Sequence, residues 1–254
     1  MLIGVPSEIK EQESRVGLTP MSVKELIIHG HSVIVENNAG YGAGFDNNDY
    51  EIAGAKITGK ASDIFNDSKL IIKVKEPLLD EVVMLKDNQI LFTYLHLAAG
   101  ADLTRALIKS KAICIAYETV TDENNKLPLL APMSAVAGRM SIQAGAHSLE
   151  KTQQGRGLLL GGAPGVNPAN VLIVGGGVVG ENAADIATGM KAKVTIIDKS
   201  PQRLKELQNK FGELIISHLI DDIDLKELVK KCDLLIGGVL IPGSNAPKLI
   251  SKEM

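Results

Sequence analysis

Residues 171–198, VLIVGGGVVGENAADIATGMKAKVTIID, join an apolar run, three glycines in Gly-x-Gly-x-x-Gly spacing, a small-residue helical pattern and a second apolar run ending on an acid. Each glycine has its own steric task. Gly175 permits the sharp turn out of a strand, Gly177 lets backbone N–H groups approach a pyrophosphate, and Gly180 lets a helix press against the sheet. The N-terminus of that helix offers unpaired donors and partial positive charge to phosphates. Asp198, at the end of the second run, can accept hydrogen bonds from both hydroxyls of an adenosine ribose. A 2′-phosphate there would meet like charge, offset only by Lys199. The pattern therefore predicts NAD rather than NADP.

A second set of reactive residues lies in the first half of the chain. In an open parallel sheet, ligands collect beyond the carboxyl ends of the strands. Lys75 follows KLIIKV, His96 follows QILFTYL, Glu118 follows AICIAY, and Arg15 lies in the polar loop EIKEQESRVGLTP after LIGV. A guanidinium forks onto a carboxylate. An ammonium can polarise the oxygen or nitrogen on a reacting carbon, and an imidazole can pass a proton while hydride moves. The set suits a small keto or amino acid. Lys73 is expected on the opposite face from Lys75, and Glu118 is expected to brace the site rather than react. His96, between Leu95 and Leu97, has a plain alternative as a core histidine. No His/Cys/Asp/Glu spacing suggests a metal, so none is expected.

These residues need a scaffold, and the chain spells one. Aliphatic runs at 2–5, 32–36, 69–74, 89–95 and 112–117 alternate with helical patterns, the signature of a parallel sheet with crossover helices. Residues 20–30 begin with Pro and end with Gly, as helix punctuation predicts. Asp102 is read as the N-cap of a helix over 102–110. A long helix is expected over 133–151, then a glycine-rich loop. In the second half, strands are expected near 171–174, 194–198, 213–217 and 233–241, with a helix at LKELVKK.

The expected architecture is thus α/β with two parallel-sheet lobes. Residues 1–128 would form a flavodoxin-like substrate domain and 129–254 a Rossmann NAD-binding domain. That second lobe shows about four strands where the fold usually has six, which leads to the expectation of a C-terminally truncated chain. Across the 254 residues, a net charge of −3 provides no basic field for nucleic acid, and 3% aromatic content without Trp provides no stacking platform. The two cysteines, Cys114 and Cys232, read as reduced residues beside apolar runs. No membrane-length apolar run or signal-like N-terminus is seen, so a cytoplasmic protein without membrane partners is expected.

Several separated motifs then align with one family. GVPSEIKEQESRVGLTP, KVKEPL, LFTYLHLA, PLLAPMSAVAGRMSIQAGAHSLE and GGGVVGENAA followed by VTIID resemble the L-alanine dehydrogenases, in order and with matching gaps along the whole chain. The resemblance implies NAD-dependent, reversible conversion of L-alanine to pyruvate and ammonium, by a homo-oligomer that is typically hexameric. It carries Arg15 and Lys75 over as substrate-binding residues and His96 as the catalytic acid/base. It assigns cofactor contacts to Ser134, Val178, Val179, Asp198, Arg203, Val239 and Leu240, beside Gly175, Gly177 and Gly180. Ile220 departs from the small polar residue common in the family near the adenine. The family's second catalytic aspartate and an asparagine near the nicotinamide follow beyond this sequence. Alternatives are the soluble NAD-binding part of a nicotinamide nucleotide transhydrogenase and an inactive NAD-binding fragment. The saccharopine dehydrogenases, as a substrate variant, are opposed by the resemblance alone.

Overall fold

The computed structural model describes residues 1–241 and 246–254; Pro242 and Gly243 of the GGVLIPG segment lie outside the described residues. The chain divides into two compact units, Met1–Leu127 and Pro128–Met254.

In the first unit the elements run β1 (Leu2–Val5), α1 (Pro20–Ile28), β2 (Ser32–Glu36), α2 (Asn47–Ile52), β3 (Lys56–Thr58), α3 (Ala61–Asp67), β4 (Leu70–Ile72), α4 (Leu79–Val82), β5 (Ile90–Thr93), α5 (Ala101–Ser110) and β6 (Ile113–Ala116). Thr19 caps α1 by accepting from the Ser22 N–H, and Gly30 turns away from it at φ +79°. Gly100 rather than Asp102 occupies the N-cap of α5; Asp102 lies in the first turn and pairs with Arg105 at 2.5 Å. The strands are parallel, in the order β3-β2-β1-β4-β5-β6.

That order corrects the flavodoxin-like expectation. The five strands legible in the sequence follow the flavodoxin sequence of neighbours, 2-1-3-4-5. The unread sixth, the three-residue edge strand β3, extends one side and makes the arrangement 3-2-1-4-5-6, the doubly wound order. Three residues, Lys-Ile-Thr, are too few to display an alternating pattern. The switch point lies between β1 and β4, flanked by the loops that carry Arg15 and Lys75. Ile3, Val5, Val33, Val35 and Tyr50 form one core face, each at most 2% exposed, while Phe65, Ile71 and Leu91 form the other. Each such aliphatic side chain removed from water contributes about 1.5–3 kcal/mol.

The second unit runs α6 (Ala131–Ser148), β7 (Asn170–Val174), α7 (Val178–Gly189), β8 (Lys193–Asp198), α8 (Pro201–Phe211), β9 (Ile215–Leu219), α9 (Leu225–Lys231) and β10 (Leu234–Gly237). Its described strands are all parallel, ordered β10-β7-β8-β9, the first four positions of a dinucleotide-binding sheet. The last strand is shorter than the 233–241 run, and Leu249 packs on the cluster of Leu172, Val174 and Ile197 beside it. Helix α6 begins two residues before the expected start. It lies close on α7 because Gly138 has no side chain: a Cβ there would meet the Val179 carbonyl oxygen at 2.2 Å. Arg139 extends the contact, donating to Asn182 at 3.1 Å and Asp185 at 2.8 Å. No described helix is long and apolar enough to cross a membrane.

Candidate functional site

At the carboxyl ends of β1, β4 and β5, parallel neighbours in one sheet, sit the three predicted substrate groups. Arg15 lies in the loop after β1, Lys75 just past β4 and His96 just past β5. The Arg15 fork is engaged by Glu13, with Nε at 2.8 Å and Nη2 at 2.6 Å from its carboxylate. The hydrogen bonds from Arg15 hold the Glu13 carboxyl at about 2, with the Lys75 charge adding to the same effect. A close backbone approach fixes this loop. A Cβ on Gly17 would stand 2.6 Å from the Ile72 carbonyl oxygen, so only glycine lets the Arg15 segment lie against the end of β4.

Alternation along one strand would put Lys73 and Lys75, two positions apart, on the same face; both lie past the end of β4, where Lys73 is buried and Lys75 half-buried. Lys73 is 1% exposed and ion-paired to Glu81 at 2.6 Å and Glu8 at 3.4 Å. Past β4, the Lys75 carbonyl accepts from the Thr93 hydroxyl at 2.9 Å, which ties it to β5.

His96 is exposed, which removes the core-histidine alternative. Its backbone is left-handed at φ +49°, a conformation that histidine adopts more readily than most residues. Glu118 supports that turn from the end of β6, accepting from the Leu95 N–H at 3.1 Å and the His96 N–H at 2.7 Å. The bracing role expected for it is the one seen. The imidazole stacks on Tyr94 with ring centroids 6.0 Å apart, and Tyr94 in turn meets Tyr117 edge-on at 5.0 Å. Burial raises the Tyr94 phenol, with Arg15 opposing the shift. Glu76, one residue past Lys75, pairs with Lys10. Burial works against its ionisation, but Lys10 and the nearby His96 outweigh that and lower its carboxyl.

In the second unit the glycine turn has the predicted anatomy. Gly175 sits at φ +100°, a conformation that disfavours any side chain. A Cβ on Gly180 would lie 1.9 Å from the Gly175 carbonyl oxygen, so α7 can start against β7 only with glycine there. Gly177 caps α7, and nothing lies within 4 Å of where its Cβ would be. Val178 is exposed and Val179 half-buried at the start of that helix, and Ser134 is in the first turns of α6. Asp198 accepts from the Gly176 N–H at 2.7 Å through one oxygen and from the Ser200 N–H at 2.8 Å through the other. Each carboxylate oxygen keeps a lone pair, enough for two ribose hydroxyls.

Val239 lies against Gly175, 2.9 Å from where its Cβ would be, whereas Leu240 is largely exposed. Ile220 packs in the apolar cluster under β7 and β8. Arg203 is committed differently from a plain adenosine contact. Its Nε donates to the Gly176 carbonyl at 2.7 Å, and its other nitrogens pair with Glu181 and with Glu206 at 2.9 Å. It thus braces the glycine turn and is partly neutralised, which leaves a 2′-phosphate without a strong cation.

The glycine cradle and the ribose acceptor fit NAD. Comparison with known sequences decides the family: the alanine dehydrogenase/PNT N-terminal domain matches residues 4–137 and the C-terminal domain matches 141–254. The chain belongs to the alanine dehydrogenase/PNT family. It is 53% identical over all 254 residues to an alanine dehydrogenase from Methanococcus maripaludis, of whose length it spans 68%. Among solved structures, a protein titled L-alanine dehydrogenase matches with a TM-score of 0.91 at 49% identity, covering all of this chain and 70% of its own. A transhydrogenase from Sinorhizobium meliloti matches at 0.82 and 25% identity, covering all of this chain and 74% of its own.

Within this family fold, four ionisable or polar residues at the first site were not singled out from sequence: Glu8, Glu13, Glu76 and Tyr94. Glu13 and Tyr94 each stand two positions before a chosen residue, Arg15 and His96. That spacing was a usable signal. Glu8 had none, because its partners lie in a strand distant along the chain.

Proposed function

We propose that this chain catalyses the NAD-dependent, reversible oxidative deamination of L-alanine to pyruvate and ammonium. The single observation that carries this is 53% identity over the full chain to an alanine dehydrogenase, with both family domains matched. The transhydrogenase reading is weaker: identity to that structure is 25%, against 49% for L-alanine dehydrogenase.

The cofactor is NAD, held by the Gly175–Gly180 turn, the start of α7 and Asp198, with Ser134, Val178, Val179, Val239 and Leu240 as further contacts. Bound there, NAD would supply the acceptor for a hydride from the substrate α-carbon. Arg15 receives the alanine carboxylate, with Lys75 beside it. Lys75 also draws electron density from the nitrogen or oxygen on the reacting carbon. A ring nitrogen of His96 accepts a proton from water as that water adds to the imine carbon. The same nitrogen returns the proton as ammonia departs, the work of a positioned acid/base. Arg203 orders the turn rather than meeting phosphate. We place the protein in the cytoplasm, in L-alanine catabolism, as a homo-hexamer; this rests on the family resemblance, and light scattering tests the assembly.

An alanine-dependent rise in NADH absorbance, run beside an NAD-binding titration, tests the reading. Binding without turnover would leave only a nucleotide-binding chain. Removal of the ribose acceptor gives a separate prediction: Asp198→Ala should weaken NAD by about tenfold, the effect of roughly 1.4 kcal/mol of lost charged hydrogen bonding, and narrow its lead over NADP. An unaltered ratio of the two cofactors' dissociation constants would show that the ribose is read elsewhere.

A further inference from the structure

The carboxylate of Glu8 is 2% exposed, although it belongs to a polar loop with no strand or helix of its own. Its Oε1 accepts from the Val74 N–H at 2.5 Å and stands 3.4 Å from the Lys75 N–H. Its Oε2 faces the Lys73 ammonium at 3.4 Å, and that ammonium is in turn 2.6 Å from Glu81 in α4. A buried charge is retained only where partners repay its desolvation. Lys73 already has the closer partner in Glu81, so folding alone does not account for a second buried acid. Glu8 touches instead the two amides that lead into Lys75, and it lies on the same loop that carries Arg15.

We propose that Glu8 is a positioning residue that ties the loop after β1 to the end of β4, and so fixes the spacing of the two cations, Arg15 and Lys75, that receive the substrate carboxylate. Burial raises the Glu8 carboxyl, and the Lys73 charge and the Val74 and Lys75 amides oppose that rise; with its carboxylate ionised, Glu8 makes the strong, charge-assisted kind of hydrogen bond to those amides. A loop held by one neutral bond would let Arg15 drift, and misplacement of a positioning group by about 1 Å can cost up to about a hundredfold. The inference rests on the alanine dehydrogenase reading of this site and goes beyond it in assigning Glu8.

Three variants test it. Glu8→Gln removes the charge, Glu8→Asp keeps the charge but draws it back from the amides, and Glu81→Gln removes the closer partner of Lys73 while leaving Glu8 on Lys75. The expected result is a rise in KM for L-alanine on the order of tenfold in both Glu8 variants, with the NAD dissociation constant unchanged. Glu81→Gln should lower the melting temperature yet leave that KM in place. A purely structural role predicts that all three variants act alike, and that outcome, or an unchanged KM in both Glu8 variants, overturns the proposal. Hydrogen exchange at the Val74 and Lys75 amides reads the same contact without turnover. Faster exchange in the Glu8 variants than in Glu81→Gln supports the proposal even if the unmodified chain makes no NADH from alanine, a failure that would fall on the functional reading instead. Equal exchange in all variants sinks it.

Discussion

His96→Ala is expected to lower kcat for alanine oxidation by about 10²–10⁴, the range for a positioned acid/base, while the NAD dissociation constant stays where it is. The imidazole is exposed and its ring stacks on Tyr94, so its loss should cost little stability beyond backbone strain. That strain needs its own control. Residue 96 is left-handed at φ +49°, a conformation costing roughly 1–2 kcal/mol for an ordinary side chain. His96→Asn tolerates the left-handed turn, keeps the N–H that donates to Glu118, and has no ring nitrogen to take up a proton. If chemistry rather than geometry is lost, Asn and Ala should be equally slow. Recovery of most of the turnover in the Asn variant would assign the defect to the turn and remove proton transfer from His96.

The second large effect belongs to the glycine turn, where two neighbouring glycines should fail in different ways. In Gly180→Ala the new Cβ would stand 1.9 Å from the Gly175 carbonyl oxygen and 3.2 Å from Ile173. Backbone cannot yield as a flexible side chain can, so α7 must pull away from β7. Overpacking of this kind costs about 1–3 kcal/mol, and we expect a clear drop in melting temperature together with weakened NAD binding. Gly177→Ala meets nothing within 4 Å, so the fold should be indifferent to it. NAD should still bind at least about tenfold more weakly, a loss of roughly 1.4 kcal/mol, because the added methyl occupies the space through which the backbone reaches the pyrophosphate. A Gly177→Ala protein with normal melting and normal NAD affinity would take the phosphates away from this turn.

Much of the active arrangement was readable because its determinants are local. The glycine spacing, the acid closing β8 and the lysine, histidine and glutamate that each follow a strand were all visible. What escaped notice was held by partners far away in the chain. Glu8 depends on Lys73 and the end of β4. Arg203 reads as a cation near adenosine until its Nε is seen on the Gly176 carbonyl. Neither contact leaves a periodic trace.

By itself, the sequence determined the two parallel sheets, the NAD fingerprint and the family, since hydrophobic runs, glycine sterics and ordered motifs act over short stretches of chain. Tertiary structure alone decided the place of β3, which turned an apparent 2-1-3-4-5 sheet into 3-2-1-4-5-6. It also decided which carboxylates hold the cations and which residue braces the glycine turn. Those outcomes depend on where buried charges find partners and on which backbones come close enough to exclude a Cβ. Such terms exist only once distant segments are brought together.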